Sequence, residues 1–382
     1  MKRVTVVLLA LVLALGMIPV PARALELNVA GKGAVLMDIA TGTVLYEQNP
    51  HERLSPASVT KVMTMLLIME AIDSGRIGWE DTVTASETAA AKGGSQIYLK
   101  VGETMTVRDL VKSIAVSSAN DAACAMAEHI AGSESAFVSM MNQRARELGM
   151  DDTHFVNCTG LDDGEEAKEH LTSAYDIAIM SRQLLKNHPD ITKFTTIWMD
   201  TVRGGEFGLS NTNKMVRFYN GCTGLKTGYT SGAGFCLSAS AEREGLGLIA
   251  VVLGCETSQE RFSACKSMLD YGFANYALVT PEAPQNASVP VTLGAADRAT
   301  AVPGAQTELL IDKSQRDRIS VSVELEPAVA APVSKGQRLG TMTVRAGEQV
   351  LAQIPMVAAE GVARLTYGEL FLEVLRRIAM AK

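Results

Sequence analysis

Ser55-Pro56-Ala57-Ser58-Val59-Thr60-Lys61 opens a long apolar run, and its central feature is Ser58 followed three residues later by Lys61. Ser55 reads as a helix N-cap and Pro56 as the first helical residue, where a missing N–H costs nothing. Val62 to Ile72 carries apolar residues at helical spacing, and Gly75 is a natural stop. The spacing therefore puts Ser58 and Lys61 one turn apart on one helix face. A serine hydroxyl is a poor nucleophile until a base takes its proton, and a partly desolvated lysine can serve. A helix N-terminus also aims free N–H groups at an oxyanion formed there. Alone, S-x-x-K is common, and a solvated serine and lysine would give the same letters.

The chain has 382 residues, enough for one large domain and a small one. Met1-Lys2-Arg3, the apolar run Val4 to Val20 and Ala22-Arg23-Ala24 make a secretory signal peptide over residues 1–24, cut after Ala24. The run is short for a membrane span and contains Gly16 and Pro19, which favours cleavage over retention. Its loss removes Lys2, Arg3 and Arg23, so the formal charge moves from −7 to −10. That balance argues against nucleic acid as a partner. Of the six cysteines, Cys124 and Cys236 sit among small or apolar neighbours and read as buried free thiols. Cys222, Cys255 and Cys265 leave a bridge open. There is no C-x-x-C and no H-E-x-x-H, so no metal and no cofactor is expected.

Gly33 to Asp38 and Thr43 to Glu47 read as paired strands. After the Ser58 helix, residues 79–107 are polar and turn-rich. Helical character returns from Val107 to Ile130, broken at Ser117 to Asp121, then from Glu134 to Leu148 and Ser173 to Leu185. Cys222 to Thr230, Gly234 to Glu242 and Leu246 to Gly254 form an antiparallel meander, and a helix from Gln259 to Tyr276 closes the domain. The fold class expected is α+β: an antiparallel sheet flanked by helices, with a mostly helical subdomain inserted between the first and last strands. The prolines from Pro281 to Pro290 mark a boundary. Beyond it, period-2 segments such as Ile319 to Val323 and Thr341 to Val344 indicate a small β-rich domain. The expected division is 1–24 signal peptide, 25–280 catalytic domain, 281–362 β domain and 363–382 terminal helix. In that helix Leu370, Phe371, Val374, Leu375 and Ile378 share a face, which suits an anchor lying in a membrane surface. An ordinary helix packed on its own protein is the competing reading.

Two further stretches change the value of Ser58. Ser118-Ala119-Asn120 places a hydroxyl and an amide at a helix break, where they can relay a proton and hold a substrate carbonyl. Lys226-Thr227-Gly228, at the start of a strand, offers a cation and a hydroxyl to a carboxylate, and a glycine that lets substrate backbone approach. The ordered set S-x-x-K, S-x-N, K-T-G resembles the signature of penicillin-binding proteins and class A β-lactamases. From about Ala30 to Tyr276 the chain resembles the serine-type D-alanyl-D-alanine carboxypeptidases, the low-molecular-mass penicillin-binding proteins. The match includes Pro56 to Thr64, Ser118 to Ala122 (with Ala119 where glycine is usual), Asn157-x-x-Gly160-Leu161, His170-x-x-Ser173-Ala174-x-Asp176 and Gly224 to Gly234.

The resemblance implies a β-lactamase/transpeptidase-like fold and an acyl-Ser58 intermediate on a peptidoglycan stem peptide ending in D-Ala-D-Ala. It implies Lys61 as general base, Ser118 as proton carrier to the leaving amine, and Asn120 holding Lys61 and the substrate amide. It implies an oxyanion hole from the N–H groups of Ser58 and Tyr229, and a carboxylate site at Lys226, Thr227 and Gly228. Arg261, just before the closing helix, matches an assisting position, with a surface arginine as the alternative. Penicillins and other β-lactams would mimic the dipeptide. The terminal helix would hold the exported enzyme on the outer face of the cell membrane. His170 and Asp176 are read as structural, because no G-x-S-x-G surrounds a serine and Ser58 already has a base on its helix. A β-lactamase is disfavoured because the acidic loop Asp162 to Glu169 lacks E-x-x-x-N. A non-catalytic wall-binding protein is disfavoured because every working residue is kept, and endopeptidase action on cross-links stays open.

Overall fold

The computed structural model describes residue 27 and residues 29–380; the expected signal peptide lies outside the described residues. Gly33–Asp38 (β1) and Val44–Gln48 (β2) form a hairpin. Cys222–Thr230 (β3), Gly234–Arg243 (β4) and Leu246–Cys255 (β5) form the expected meander, and β5 pairs antiparallel with β1. The sheet order is therefore β2-β1-β5-β4-β3, with the first and last strands of this sheet in chain order adjacent at its centre.

Strand β5 reads as an unbroken apolar run because both of its faces are covered. Leu248, Ala250 and Val252 pack with Cys265, Met268 and Leu269 of the helix Ser258–Asn275. Ile249, Val251 and Leu253 face the helical subdomain. That helix starts on a capping box: Thr257 Oγ1 accepts from Glu260 N, and Glu260 Oε2 accepts from Thr257 N.

The subdomain is built from Lys61–Asp73 (α1), Val107–Ser117 (α2), Asn120–Ala131 (α3), Glu134–Glu147 (α4) and Ala174–Asn187 (α5). Helix α1 is buried almost all round, as expected of a helix at the centre of a bundle. Side chains of Thr106, Ser133 and Ser173 cap α2, α4 and α5.

Two local expectations are corrected. The helix does not begin at Pro56, and Ser55 is not its cap: Ala57–Thr60 is a 3₁₀ turn without a side-chain cap, and the α-helix starts at Lys61. Ala57 takes a positive φ of 47°, imposed by packing rather than by local propensity. The polar stretch 79–107 is also more ordered than its composition suggests, with strands Thr82–Thr84 and Thr104–Thr106 paired and a short helix, Glu87–Ala90, between them.

Beyond the first unit, a six-stranded sheet encloses its own core of Val289, Leu339, Met342, Val344 and Met356. The strand before Pro281, Tyr276–Val279, pairs with Leu309–Asp312 of the second unit, so the two are joined by a ladder as well as by the chain. The terminal helix spans Tyr367–Met380. Its Phe371, Leu372 and Ile378 are 64%, 66% and 66% exposed, against the alternative of packing on its own protein. No helix among the described residues is long and apolar enough to cross a membrane.

Candidate active site

The 3₁₀ turn presents Ser58 half-buried at the start of α1, and Lys61 follows it fully buried. Lys61 Nζ lies 2.9 Å from Ser58 Oγ and donates to Thr159 O at 2.7 Å. Burial removes hydration from the ammonium, which pushes Lys61 down to about 7. The lysine can thus shed its proton near neutral pH while in contact with the serine.

Three neighbours fix the turn. His170 Nδ1 accepts from Val156 N, which leaves Nε2–H to donate to Thr60 Oγ1 at 2.7 Å; Thr60 Oγ1 then donates to Ala57 O at 2.8 Å. Burial lowers His170 to about 4, so it stays neutral in this chain of bonds. Gly160 touches the turn from one side: a Cβ there would sit 1.8 Å from Ala57 O. Gly228 touches it from the other, where a Cβ would meet Pro56 O at 2.5 Å and Ser58 N at 3.1 Å. Gly228 is therefore required by the approach of strand to nucleophile turn.

Ser118 ends α2 in the left-handed conformation, φ 63° and ψ 28°, and its buried Oγ has no hydrogen-bond partner. Asn120 begins α3; its N–H donates to Ser95 O and its Nδ2 to Gly93 O, both at 2.7 Å. Its Oδ1 is unpaired, and it makes no hydrogen bond to Lys61. The expected tether from Asn120 to Lys61 is corrected: the carbonyl of Thr159 holds the lysine. Asp121 beneath accepts from Ile97 N and Leu99 N, fixing the loop that grips Asn120.

Lys226, Thr227 and Gly228 lie in the middle of β3 rather than at its start, opposite Ser238, Leu237 and Cys236 of β4. Thr227 Oγ1 is 2.6 Å from Thr212 Oγ1. Lys226 is buried, and that burial, with the charges of Lys61 and Arg261 nearby, holds it well below an ordinary lysine. Arg261 is neither before the helix nor on the surface: it is the fourth residue of the helix and is buried. Its guanidinium donates to Gly228 O at 2.8 Å and lies over Phe235 and Phe262. Tyr229 is 56% exposed and stacks on Phe235.

Sequence reasoning missed Thr159, Thr212 and the loop at Gly93. The first and last act through backbone carbonyls, which leave no mark in the letters. Asp176 accepts from Asp152 N and Thr153 Oγ1, a scaffold role. All six cysteines are free thiols, so no bridge forms among Cys222, Cys255 and Cys265. No cluster of metal-ligating side chains occurs among the described residues.

The family profile for peptidase family S11, D-alanyl-D-alanine carboxypeptidase, matches residues 20–257, and that for the penicillin-binding protein 5 C-terminal domain matches 282–364. The D-alanyl-D-alanine carboxypeptidase DacF of Bacillus subtilis is 44% identical over 345 residues, covering 88% of this chain and 87% of that protein. Penicillin-binding protein 5 of Haemophilus influenzae superposes with a TM-score of 0.76 at 30% identity, covering 88% and 98%. Penicillin-binding protein D2 of Listeria monocytogenes, solved in its cefotaxime-bound form, superposes at 0.60 with 31% identity, covering 65% and 99%. With the serine–lysine turn, the S-x-N break and the K-T-G strand assembled on a shared fold, the chain belongs to the serine-type D-alanyl-D-alanine carboxypeptidases of family S11.

Proposed function

We propose that Ser58 is the nucleophile and Lys61 its base, acting on stem peptides of peptidoglycan. The 2.9 Å contact between Ser58 Oγ and a fully buried Lys61 Nζ carries the reading. Neutral Lys61 accepts the hydroxyl proton as Ser58 attacks the carbonyl carbon of the penultimate D-alanine. The N–H groups of Ser58 and Tyr229 receive the oxyanion. Ser118 passes the proton to the leaving amine, so D-alanine departs and acyl-Ser58 remains. Asn120 orients the substrate amide with its free Oδ1. Lys226 and Thr227 take the terminal carboxylate, Gly228 gives them access to the nucleophile turn, and Arg261 braces the strand through Gly228 O. Water then hydrolyses the ester.

β-Lactams would acylate the same serine, in line with the cefotaxime-bound relative. Residues 25–280 form the catalytic unit and 281–362 the β unit in this reading. The exposed apolar face of the terminal helix lies in the outer surface of the cell membrane after export. The test is Ser58→Ala. It should abolish D-alanine release from a D-Ala-D-Ala peptide and covalent labelling by penicillin, with the melting temperature retained. Labelling that survives the substitution overturns the assignment.

A further inference from the structure

Lys92 and Glu134 have no part in the chemistry above, yet they join the two loops that hold it. Lys92 Nζ and Glu134 Oε2 form an ion pair of 2.5 Å, their side chains 20% and 17% exposed. The other oxygen, Glu134 Oε1, accepts from Cys158 Sγ at 3.2 Å and from Cys158 N at 3.4 Å. Cys158 O accepts from Thr64 Oγ1 on α1 at 2.6 Å, and the next carbonyl, Thr159 O, is the one that holds Lys61. On the other side, Lys92 leads into Gly93 and Ser95, whose carbonyls hold the side chain and backbone of Asn120. The loops also meet directly: a Cβ on Gly94 would lie 3.2 Å from Leu161 Cδ2 and 2.8 Å from Asn120 Nδ2.

We propose that the Lys92–Glu134 pair is a positioning clamp that sets the base Lys61 and the substrate-orienting Asn120 in register with each other. It rests on the roles given to Lys61 and Asn120 under the proposed function. Neither clamp residue touches substrate: Glu134 acts through Thr159 O, one residue past its hydrogen-bonded neighbour Cys158, and Lys92 through Gly93 O and Ser95 O, one and three residues further along the chain. Removing one charge leaves the other partly buried and unpaired, so the Glu134 carboxylate at the start of α4, or the loop that carries Lys92, must turn to solvent and release its neighbours. Once the 157–161 loop moves, Thr159 O leaves Lys61 and water reaches the ammonium. The charged groups facing Lys61 are then Asp121, which favours its protonation, and Lys226, which opposes it; Cys158 and neutral His170 lie beside them. Facing Glu134 are Lys92 and the thiols of Cys158 and Cys124. Rehydration returns Lys61 towards its ordinary proton affinity, so the clamp is readable in a pH profile.

The experiment uses the full mature chain as wild type, Lys92→Met, Lys92→Arg and Glu134→Gln. Acylation by a labelled penicillin is followed between pH 5.5 and 9.5, with the labelled peptide identified and the melting temperature measured. Lys92→Met and Glu134→Gln should acylate roughly 10- to 100-fold more slowly at pH 7, the loss expected from a misplacement approaching 1 Å. Their acid limb should move to higher pH, while Lys92→Arg keeps the charge and stays within about threefold of wild type. Folded Lys92→Met and Glu134→Gln that label Ser58 with the wild-type rate and profile overturn the clamp. So does a loss that only tracks the unfolded fraction, with the profile unmoved. Label on a serine other than Ser58 in the wild type overturns the functional reading itself, a separate and visible failure.

Discussion

Replacing Gly228 by alanine adds one methyl group at the closest approach of the K-T-G strand to the nucleophile turn. Gly228 has no positive φ to forbid the change, so its effect comes from contact alone. The new carbon would sit 2.5 Å from Pro56 O, 3.1 Å from Ala57 Cβ and 3.1 Å from Ser58 N. A carbon tolerates a carbonyl oxygen at about 3.3 Å, so strand and turn must part by roughly 0.8 Å. Pro56 O is backbone, pinned by the bonds that hold the turn, and cannot swing aside as a side chain would. Since a 1 Å misplacement of reacting groups costs about 10²-fold, acylation of Gly228→Ala should fall roughly 30- to 100-fold. The overpacking should also cost about 1–3 kcal/mol of stability. The assay is the second-order rate of penicillin labelling under conditions where both proteins are folded. Gly208→Ala, at a site with nothing within 4 Å, is the control and should label normally. A Gly228→Ala protein that labels at the wild-type rate would refute the account of how strand and turn fit.

Other outcomes follow from the same geometry. With Lys61 at about 7, the acylation rate should rise as pH climbs through 7 and level off above it, because the neutral lysine is the base. An ordinary lysine would be neutral in only about one molecule in 3,000 at pH 7, and a profile still climbing beyond pH 9 would contradict the burial effect. His170 is neutral when folded down to about pH 4 but titrates near 6.5 when unfolded. The unfolded chain therefore binds the extra proton between these values, and stability should be full above 6.5 and fall by about 3 kcal/mol as pH drops to 4. Denaturant titrations of wild type and His170→Asn across that window measure it, and equal slopes would refute the assignment. Deleting residues 363–382 should abolish cosedimentation with anionic vesicles while leaving D-alanine release from a soluble peptide intact.

The sheet was legible because β5 is an apolar run of strand length between turn signals, and the three motifs were legible because their side chains carry the chemistry. The nucleophile turn was not. Local rules make Pro56 a first helical residue, yet Gly160 and Gly228, distant in sequence, press Ala57–Thr60 into a tighter turn. The hairpin of Met199–Val202 and Phe207–Ser210 also escaped notice, since each strand is four residues long and mostly exposed. Arg261 read equally well as surface because its neighbours Gln259 and Glu260 are polar. Only the docking of its helix on the sheet buries it.

The burial of Lys226 and Arg261 bears on how an anionic ligand arrives. The whole chain carries a formal charge of −7, so at long range an approaching carboxylate meets a repulsive field. Lys226 and Arg261 are buried beside the neutral base Lys61, and their attraction is felt only over the last few ångströms, inside the roughly 10 Å screening length of 0.1 M salt. Ionic strength then weakens the distant repulsion more than the local attraction. Capture should depend on chance encounter followed by short-range retention, and added salt should leave it unchanged or slightly faster.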